Sequence, residues 1–470
     1  MKFFHVITQF LLITLVGSKV VKAEDIHYEY IVIGAGAAGL SAAYKLRDLN
    51  KNFLVLEKET HAGGIAENGV RGRFSYAKGT EYLGKPEGYL AHVIHKLNVQ
   101  MVEIPSPMDA SFFRGKIHIG ANSLAKLTIE QSGKQEFQKF INLLNSPEYM
   151  TVNQLKQLDH MTAKEWLDQH QISPFIQQRY EIMARGLFGA NLSDISALSF
   201  IPEAQFDYVD VNEVDELMFP SSESGSWTTE KGIASIATTI ADHLAENILY
   251  QSTVKKIRKV QHGYQVDFLS EGNVHTLTAQ KVILATPAPV AAYIAKEVLT
   301  EKQKTFLRKV KYAQYATVAL FSDKPLFNKA FDLAIIDGET VTDLYDATWV
   351  ERNLAPNLEG VKEYIASAYL APKSATDKSL LKNSDAELLD IIYQELNHIV
   401  PNIKQDIKGY DIRRFYNAYP IFDKGYFTRL YKMKSSSSDV YLAGDYMAYP
   451  TFDAAFESGL DAVMKAEKDK

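Results

Sequence analysis

The stretch from Tyr30 to Glu57 constrains this chain more than any other. Tyr30-Ile31-Val32-Ile33 is a short apolar, β-branched run, which predicts a strand buried on both faces of a parallel sheet. Gly34-Ala35-Gly36-Ala37-Ala38-Gly39 follows, then the helix-forming stretch Leu40-Ser41-Ala42-Ala43-Tyr44-Lys45-Leu46, then a second strand, Phe53-Leu54-Val55-Leu56, ending at Glu57. Each part has a task. Gly34 permits the tight turn out of the strand, Gly36 lets the backbone approach a pyrophosphate, and Gly39 lets the helix pack on the sheet. The first helical turn around Ala38 offers free N–H groups and partial positive charge to phosphate. Glu57 stands where a carboxylate accepts ribose hydroxyls, which disfavours a 2′-phosphate. The unit predicts dinucleotide binding. The bland alternative is a glycine-rich turn without a ligand.

Length and composition narrow the rest. A chain of 470 residues exceeds one compact domain, and two or three are expected. The 51 Lys+Arg against 57 Asp+Glu, net −6, argue against a nucleic-acid partner, which calls for a basic surplus. With no Cys, disulfide scaffolds, thiolate metal sites, Cys nucleophiles and cysteine-linked flavin are excluded. His92 and His95 lie one turn apart with no acid nearby to complete a ligand set, so no metal is expected.

Residues 1–23 have Lys2, a short apolar run from Val6 to Val16, and Val21-Lys22-Ala23. They resemble a secretory signal peptide cut before Glu24. A secreted or periplasmic location is therefore expected. No other stretch suits a stable membrane span.

Further segments separate FAD from NAD. After Glu57 come Lys58, then Gly63-Gly64-Ile65, and then Lys78-Gly79-Thr80-Glu81-Tyr82-Leu83-Gly84. Downstream are Arg185-Gly186-Leu187-Phe188-Gly189-Ala190, Lys231 to Ile236 opening a helix, Val254-Lys255-Lys256-Ile257, and Val282-Ile283-Leu284-Ala285-Thr286-Pro287. Last come Val440-Tyr441-Leu442-Ala443-Gly444-Asp445 and the helix from Asp453-Ala454 to Leu460. In this order the chain resembles the flavin-containing amine oxidase superfamily, which includes amine oxidases, protoporphyrinogen oxidases and carotenoid desaturases. The resemblance implies non-covalent FAD held by Gly34, Gly36, Ala38, Gly39, Glu57, Lys58, Gly63, Gly64, Gly79, Thr80, Glu81, Val254, Gly444, Asp445, Asp453 and Ala454. Val254 would meet adenine. Asp445 would meet the ribityl or diphosphate region.

The implied fold is α/β: a Rossmann-like FAD/NAD(P)-binding domain, discontinuous over 24–90, 225–290 and 435–470, with an inserted α+β substrate domain from 91–224 and 291–434. The implied activity is FAD-dependent oxidation of a small organic substrate. Hydride would leave a C–H next to an amine nitrogen or a C–C bond, with oxygen or a quinone as electron acceptor. Protoporphyrinogen-oxidase-like or desaturase-like dehydrogenation, a non-redox flavin isomerase, and a binding protein with a vestigial nucleotide unit are the alternatives.

Three departures stand out. Ile65 replaces the arginine that follows the glycine pair in the superfamily, and Arg71 or Arg73 is the expected substitute near the phosphates. Thr317 falls where amine oxidases often carry a lysine close to the flavin. Thr451 takes one of two positions often held by pocket aromatics, with Tyr419 at the other. Thr317, Tyr419 and Thr451 are the substrate-pocket candidates, and no acid–base residue is assigned.

Overall fold

The computed structural model describes residues 27–146, 150–208, 211–219, 224–358, 360–435 and 438–469. The expected leader, 1–23, lies outside them. No helix among the described residues is long and apolar enough to cross a membrane.

Two seven-stranded sheets organise the chain. The first begins where predicted, with His27–Ile33, the helix Ala37–Asp48 and Phe53–Leu56. Its parallel part runs Ile248–Leu249, Phe53–Leu56, His27–Ile33, then the long strand Asn273–Leu284. The far edge of that long strand is divided. Its first half pairs antiparallel with Gly263–Ser270, and its last residues pair parallel with Val440–Leu442. Helices cover both faces, which is why Ile31, Val32 and Ile33 are all buried and the strand reads as continuously apolar. The Ala37–Asp48, Ala234–His243 and Phe452–Lys468 helices pack on one face. Ala288–Ile294, Glu301–Leu307 and Tyr426–Lys434 pack on the other. The nucleotide-side layer thus reaches past the expected boundaries at 290 and 435.

The second sheet runs Ile407–Phe415, Tyr315–Ser322, Tyr364–Leu370, Val341–Asp346, Asp332–Ile335, Asp109–Phe113 and Lys116–Ile119. One face is apolar. Phe112, Val318, Leu333, Leu344 and Ala368 pack there with Leu388 and Ile392 of the helix Asp385–Leu396. A bundle of helices between Gly120 and Phe206 forms the third body around Phe137, Phe140, Trp166, Tyr180 and Phe200. Its helices start at residues suited to the task. Thr151, Thr162, Ser173 and Ser196 each accept a backbone N–H from the first turn, a cap worth about 1 kcal/mol.

Candidate active site

The glycine loop is built as its spacing implies. Gly34 has φ +102°, and a Cβ there would stand 2.4 Å from the Ala285 carbonyl oxygen. A Cβ on Gly39 would stand 1.9 Å from the Gly34 carbonyl oxygen. Gly36 is different, because its nearest neighbour would be the Gly64 Cα at 3.9 Å. Its missing side chain therefore leaves open space beside the helix N-terminus. Gly63 closes the cradle by donating its N–H to the Ala35 carbonyl at 2.9 Å. No side chain caps the helix Ala37–Asp48, so its first N–H groups stay available to an anion.

Glu57 is held in place by two backbone donors, Ala35 N–H at 2.7 Å and Glu59 N–H at 2.9 Å. Ser252 N–H reaches the Glu57 carbonyl at 2.7 Å, so Val254, at the start of Thr253–Val260, lies beside this end of the cradle. Lys58 is exposed and pairs with Glu59. Thr286 Oγ1 is buried without a hydrogen-bond partner next to Gly34. Uncapped amides, an open glycine and an orphaned buried hydroxyl together fit a dinucleotide.

The C-terminal motif continues the same track. A Cβ on Gly459 would stand 2.1 Å from the Ala38 carbonyl oxygen, so the Phe452–Lys468 helix crosses directly over the start of the first helix. Gly444 has φ +145°, and its N–H donates to Ser458 Oγ at 2.8 Å. Asp445 accepts from Tyr446 N–H at 2.7 Å, and burial pushes its carboxyl up to about 7. Thr451 caps the helix by accepting the Ala454 N–H at 3.3 Å. Asp453 sits in the first turn.

Between this motif and the second sheet lie the pocket candidates. Thr317 donates to the Lys78 carbonyl at 2.8 Å. Register sets Tyr369 opposite Thr317, and the Tyr369 hydroxyl lies 3.0 Å from the Gly79 carbonyl and 2.9 Å from Glu81 Oε1. The segment Gly79 to Glu81 is thereby fastened to the sheet. Burial pushes the Glu81 carboxyl up to about 8, against the Tyr369 hydrogen bond, which lowers it. Tyr419 meets Tyr315 edge-on at 5.6 Å and senses Glu81, Asp343 and Asp445. It therefore stands between the C-terminal motif and the sheet. Tyr449 donates to the Ser199 carbonyl at 2.5 Å and meets Phe188 edge-on.

Arg71 and Arg73, the expected substitutes for the missing arginine, sit on a hairpin tip against the second sheet. Both are exposed on the tip of the Asn68–Arg71 and Phe74–Ala77 hairpin. Arg71 lies over the Phe321 ring, and Gly72 abuts the Glu363 carboxylate. The hairpin's own pairing turns its tip toward the second sheet. The cations at the 57–67 loop are instead Lys78, 3.4 Å from Glu67, and Arg413, 3.2 Å from Glu67. Arg413 also helps to lower the Glu59 carboxyl, after the larger effect of Lys58.

The sequence profile of the flavin containing amine oxidoreductases matches residues 37–466. The chain belongs to this family. It is an FAD-dependent oxidoreductase of the amine oxidase type. It is 21% identical over 426 residues to β-cyclopiazonate dehydrogenase of Aspergillus oryzae, covering 88% of both chains. In fold it is similar to a double mutant of putrescine oxidase, with a TM-score of 0.74, 16% identity, and 94% and 99% of the two chains covered. It is also similar to a CLA-producing fatty acid isomerase from P. acnes, with a TM-score of 0.69, 13% identity, and 93% and 98% covered.

One set of residues escaped the sequence reading. The face of the second sheet opposite its apolar core carries Asp109, Asp332, Asp343, Tyr345, Tyr369 and Thr317, placed together by register. Burial pushes Asp343 up to about 6 and raises Asp332 further. Glu203, from the helix Ala197–Phe206, is pushed up to about 7 by burial, with Tyr449 opposing the shift. The signal was present in Asp109-Ala110-Ser111-Phe112, where polar and apolar residues alternate. Alternation by itself does not distinguish a cavity wall from an outer surface.

Proposed function

We propose that the protein oxidises a small organic amine, removing hydride from a C–H bond next to nitrogen, with non-covalent FAD as cofactor. The observation that carries this reading is the carboxylate wall. An amine substrate is a cation at neutral pH and suits a wall that carries Asp343, whose carboxyl burial raises only to about 6 and which is therefore ionised there. A polycarboxylic porphyrinogen or a fatty acid would bring negative charge to the same wall and be repelled.

Bound FAD supplies the two-electron acceptor for the hydride. The chain's own residues do the rest. Glu57, Gly36 and the first turn of Ala37–Asp48 hold the nucleotide end. Gly79, Thr80 and Glu81 form the floor beside Thr317. The rings of Tyr419 and Tyr449 give the pocket apolar walls. An ammonium ion must lose a proton before its neighbouring C–H can leave as hydride. That proton leaves to solvent, because Glu81, steadied by Tyr369, itself keeps a proton up to about pH 8. The product is an imine, and the electrons pass on to oxygen or a quinone. We further propose that residues 1–23 export the chain.

The visible spectrum of the purified protein tests the reading. Two flavin bands that bleach anaerobically on adding an amine, with the flavin released by denaturation, are expected. A flavin-loaded protein that no amine bleaches would overturn amine oxidation and favour dehydrogenation of a C–C bond or isomerisation.

A further inference from the structure

Glu81 carries a proton that the oxidation of substrate does not use. Its Oε1 lies 2.9 Å from the Tyr369 hydroxyl, which also lies 3.0 Å from the Gly79 carbonyl. A phenol has one proton to give, and a carbonyl can only accept. With that proton on Gly79, the other contact is made by the Glu81 acid donating to the phenol oxygen. Burial, which pushes Glu81 up to about 8, favours the same form. The titratable groups facing this carboxyl are Tyr369, Tyr419 and Asp332. Tyr419 senses Asp445 as well, so Glu81 borders the space beside the C-terminal motif. Thr317, the neighbour of Tyr369 across the sheet, has no titratable proton to offer.

A cavity of about 30 Å³ lies against Glu81, bordered also by Ser75, Thr228, Thr229, Ala347 and Glu351. A water needs roughly 10–15 Å³ and two to four polar partners, so the cavity has room for one or two. Thr228 Oγ1 donates to the Glu81 carbonyl at 3.4 Å, and Ser75 N–H donates to Glu351 Oε1 at 3.1 Å. These bonds fix both acidic residues to the cavity wall. Glu351 is half-buried and feels the exposed Glu230 as a like charge. Among the described residues neither Glu81 nor Glu351 is ion-paired, whereas Glu67 is held by Lys78 and Arg413. The Arg352 guanidinium is spent on the Thr348 hydroxyl and the carbonyls of Leu358, Val361 and Glu363. Two unpaired acids on one small cavity, one deep and one near solvent, are the parts of a proton path.

We propose that Glu81 donates the proton that completes reoxidation of the enzyme, and that water in this cavity passes it a replacement from Glu351 and the solvent. The step balances. Oxygen takes two electrons and one proton from reduced flavin as hydride, and becomes hydrogen peroxide on taking one proton more. A quinone becomes a hydroquinone in the same way. Glu81 breaks its O–H bond to supply that second proton and is left as a carboxylate. Glu351 then gives up its own proton through the water and regains one from solvent. Oxygen and quinones make this demand whether the hydride came from a C–H next to nitrogen or from a C–C bond.

The test needs no substrate. Flavin-loaded enzyme is reduced with stoichiometric dithionite in the absence of air, then mixed with oxygen or with a soluble benzoquinone while the flavin absorbance returns. Wild-type reoxidation should slow as pH rises through about 8, where Glu81 loses its proton, and should be slower in D2O. Glu81→Gln should be about 100-fold slower below this pH and flat across it. The second readout is the infrared carbonyl band of the protonated acid in the oxidised, flavin-loaded enzyme. Its absence from Glu81→Gln identifies the band. Its shift on transfer to D2O should be several-fold slower in Glu351→Leu.

Flavin content equal to wild type shows that each variant is folded. Glu81→Met, of like volume and without a proton to give, decides if Glu81→Gln loses flavin. Equal reoxidation rates in wild type and Glu81→Gln, or a reduced enzyme that neither acceptor reoxidises, would overturn Glu81 as the donor. A Glu81 band that exchanges as fast in Glu351→Leu as in wild type would overturn the path. Neither result turns on which substrate is oxidised, so the amine-oxidising reading fails or holds by its own test.

Discussion

Tyr369 lies 2.9 Å from Glu81 Oε1, which joins the second sheet to the segment that follows the glycine pair. Burial holds this carboxyl at about 8, far above its ordinary 4.5. Between these two pH values the folded chain keeps a proton that the unfolded chain has released. Stability of the flavin-free protein therefore falls as pH rises through this window. Glu81→Gln removes that loss. The variant should melt above the wild type at pH 8–9 and level with it near pH 4, as read by thermal unfolding across the range. A difference that grows toward acid would contradict the assignment.

Gly34 and Gly36 should respond in opposite ways to the same change. Gly34→Ala drives a Cβ to 2.4 Å from a backbone oxygen at positive φ and should cost at least ~1–3 kcal/mol of stability. Gly36→Ala meets open space in the cradle. Its flavin-free melting temperature should match the wild type while most of the flavin is lost. Absorbance per mole of protein and a melting curve separate the two.

Arg413 rather than the hairpin arginines should matter for cofactor retention. Arg71→Ala and Arg73→Ala should keep full flavin, since both side chains sit on an exposed tip. Arg413→Ala removes the cation bridging to Glu67 and should weaken FAD several-fold, more so at low salt. Fluorescence titration of the flavin-free protein gives the comparison.

Thr451 has a structural task that bears on chemistry. It caps the Phe452–Lys468 helix, so Thr451→Ala should cost about 1 kcal/mol, while Thr451→Ser should cost little. Urea unfolding of both variants checks this. A Thr451→Ala protein as stable as wild type would mean that the cap is not formed in solution.

Export has its own test. The mature protein recovered from the periplasm or medium should begin at Glu24 by intact mass. A chain retaining residues 1–23 there would rule out cleavage.

How much of this was legible depended on distance along the chain. The strand, glycine loop, helix and acid from Tyr30 to Glu57 lie together in sequence, and each has a local physical signature, so they were read in order. Asp445 and the helix after Thr451 were legible for the same reason. The carboxylate wall was not, because Asp109, Asp332 and Asp343 come from three strands, and only register brings them together. The pairing of Arg413 with Glu67 was hidden likewise. Nothing near Ile65 in sequence points to a strand at 407–415, and the nearer Arg71 and Arg73 were the natural expectation until the hairpin's direction was known.

The parallel sheet takes its last strand, Val440–Leu442, from the end of the chain, against a partner at 282–284 that in turn pairs with His27–Ile33. During synthesis, at about 5–20 residues per second, the glycine loop leaves the ribosome tens of seconds before the residues that complete its sheet. The sheet behind the glycine loop therefore stays incomplete until residues 440–442 have been made. Messages cut before codon 440 should give protein without colour or residual turnover, and heavily prone to aggregation.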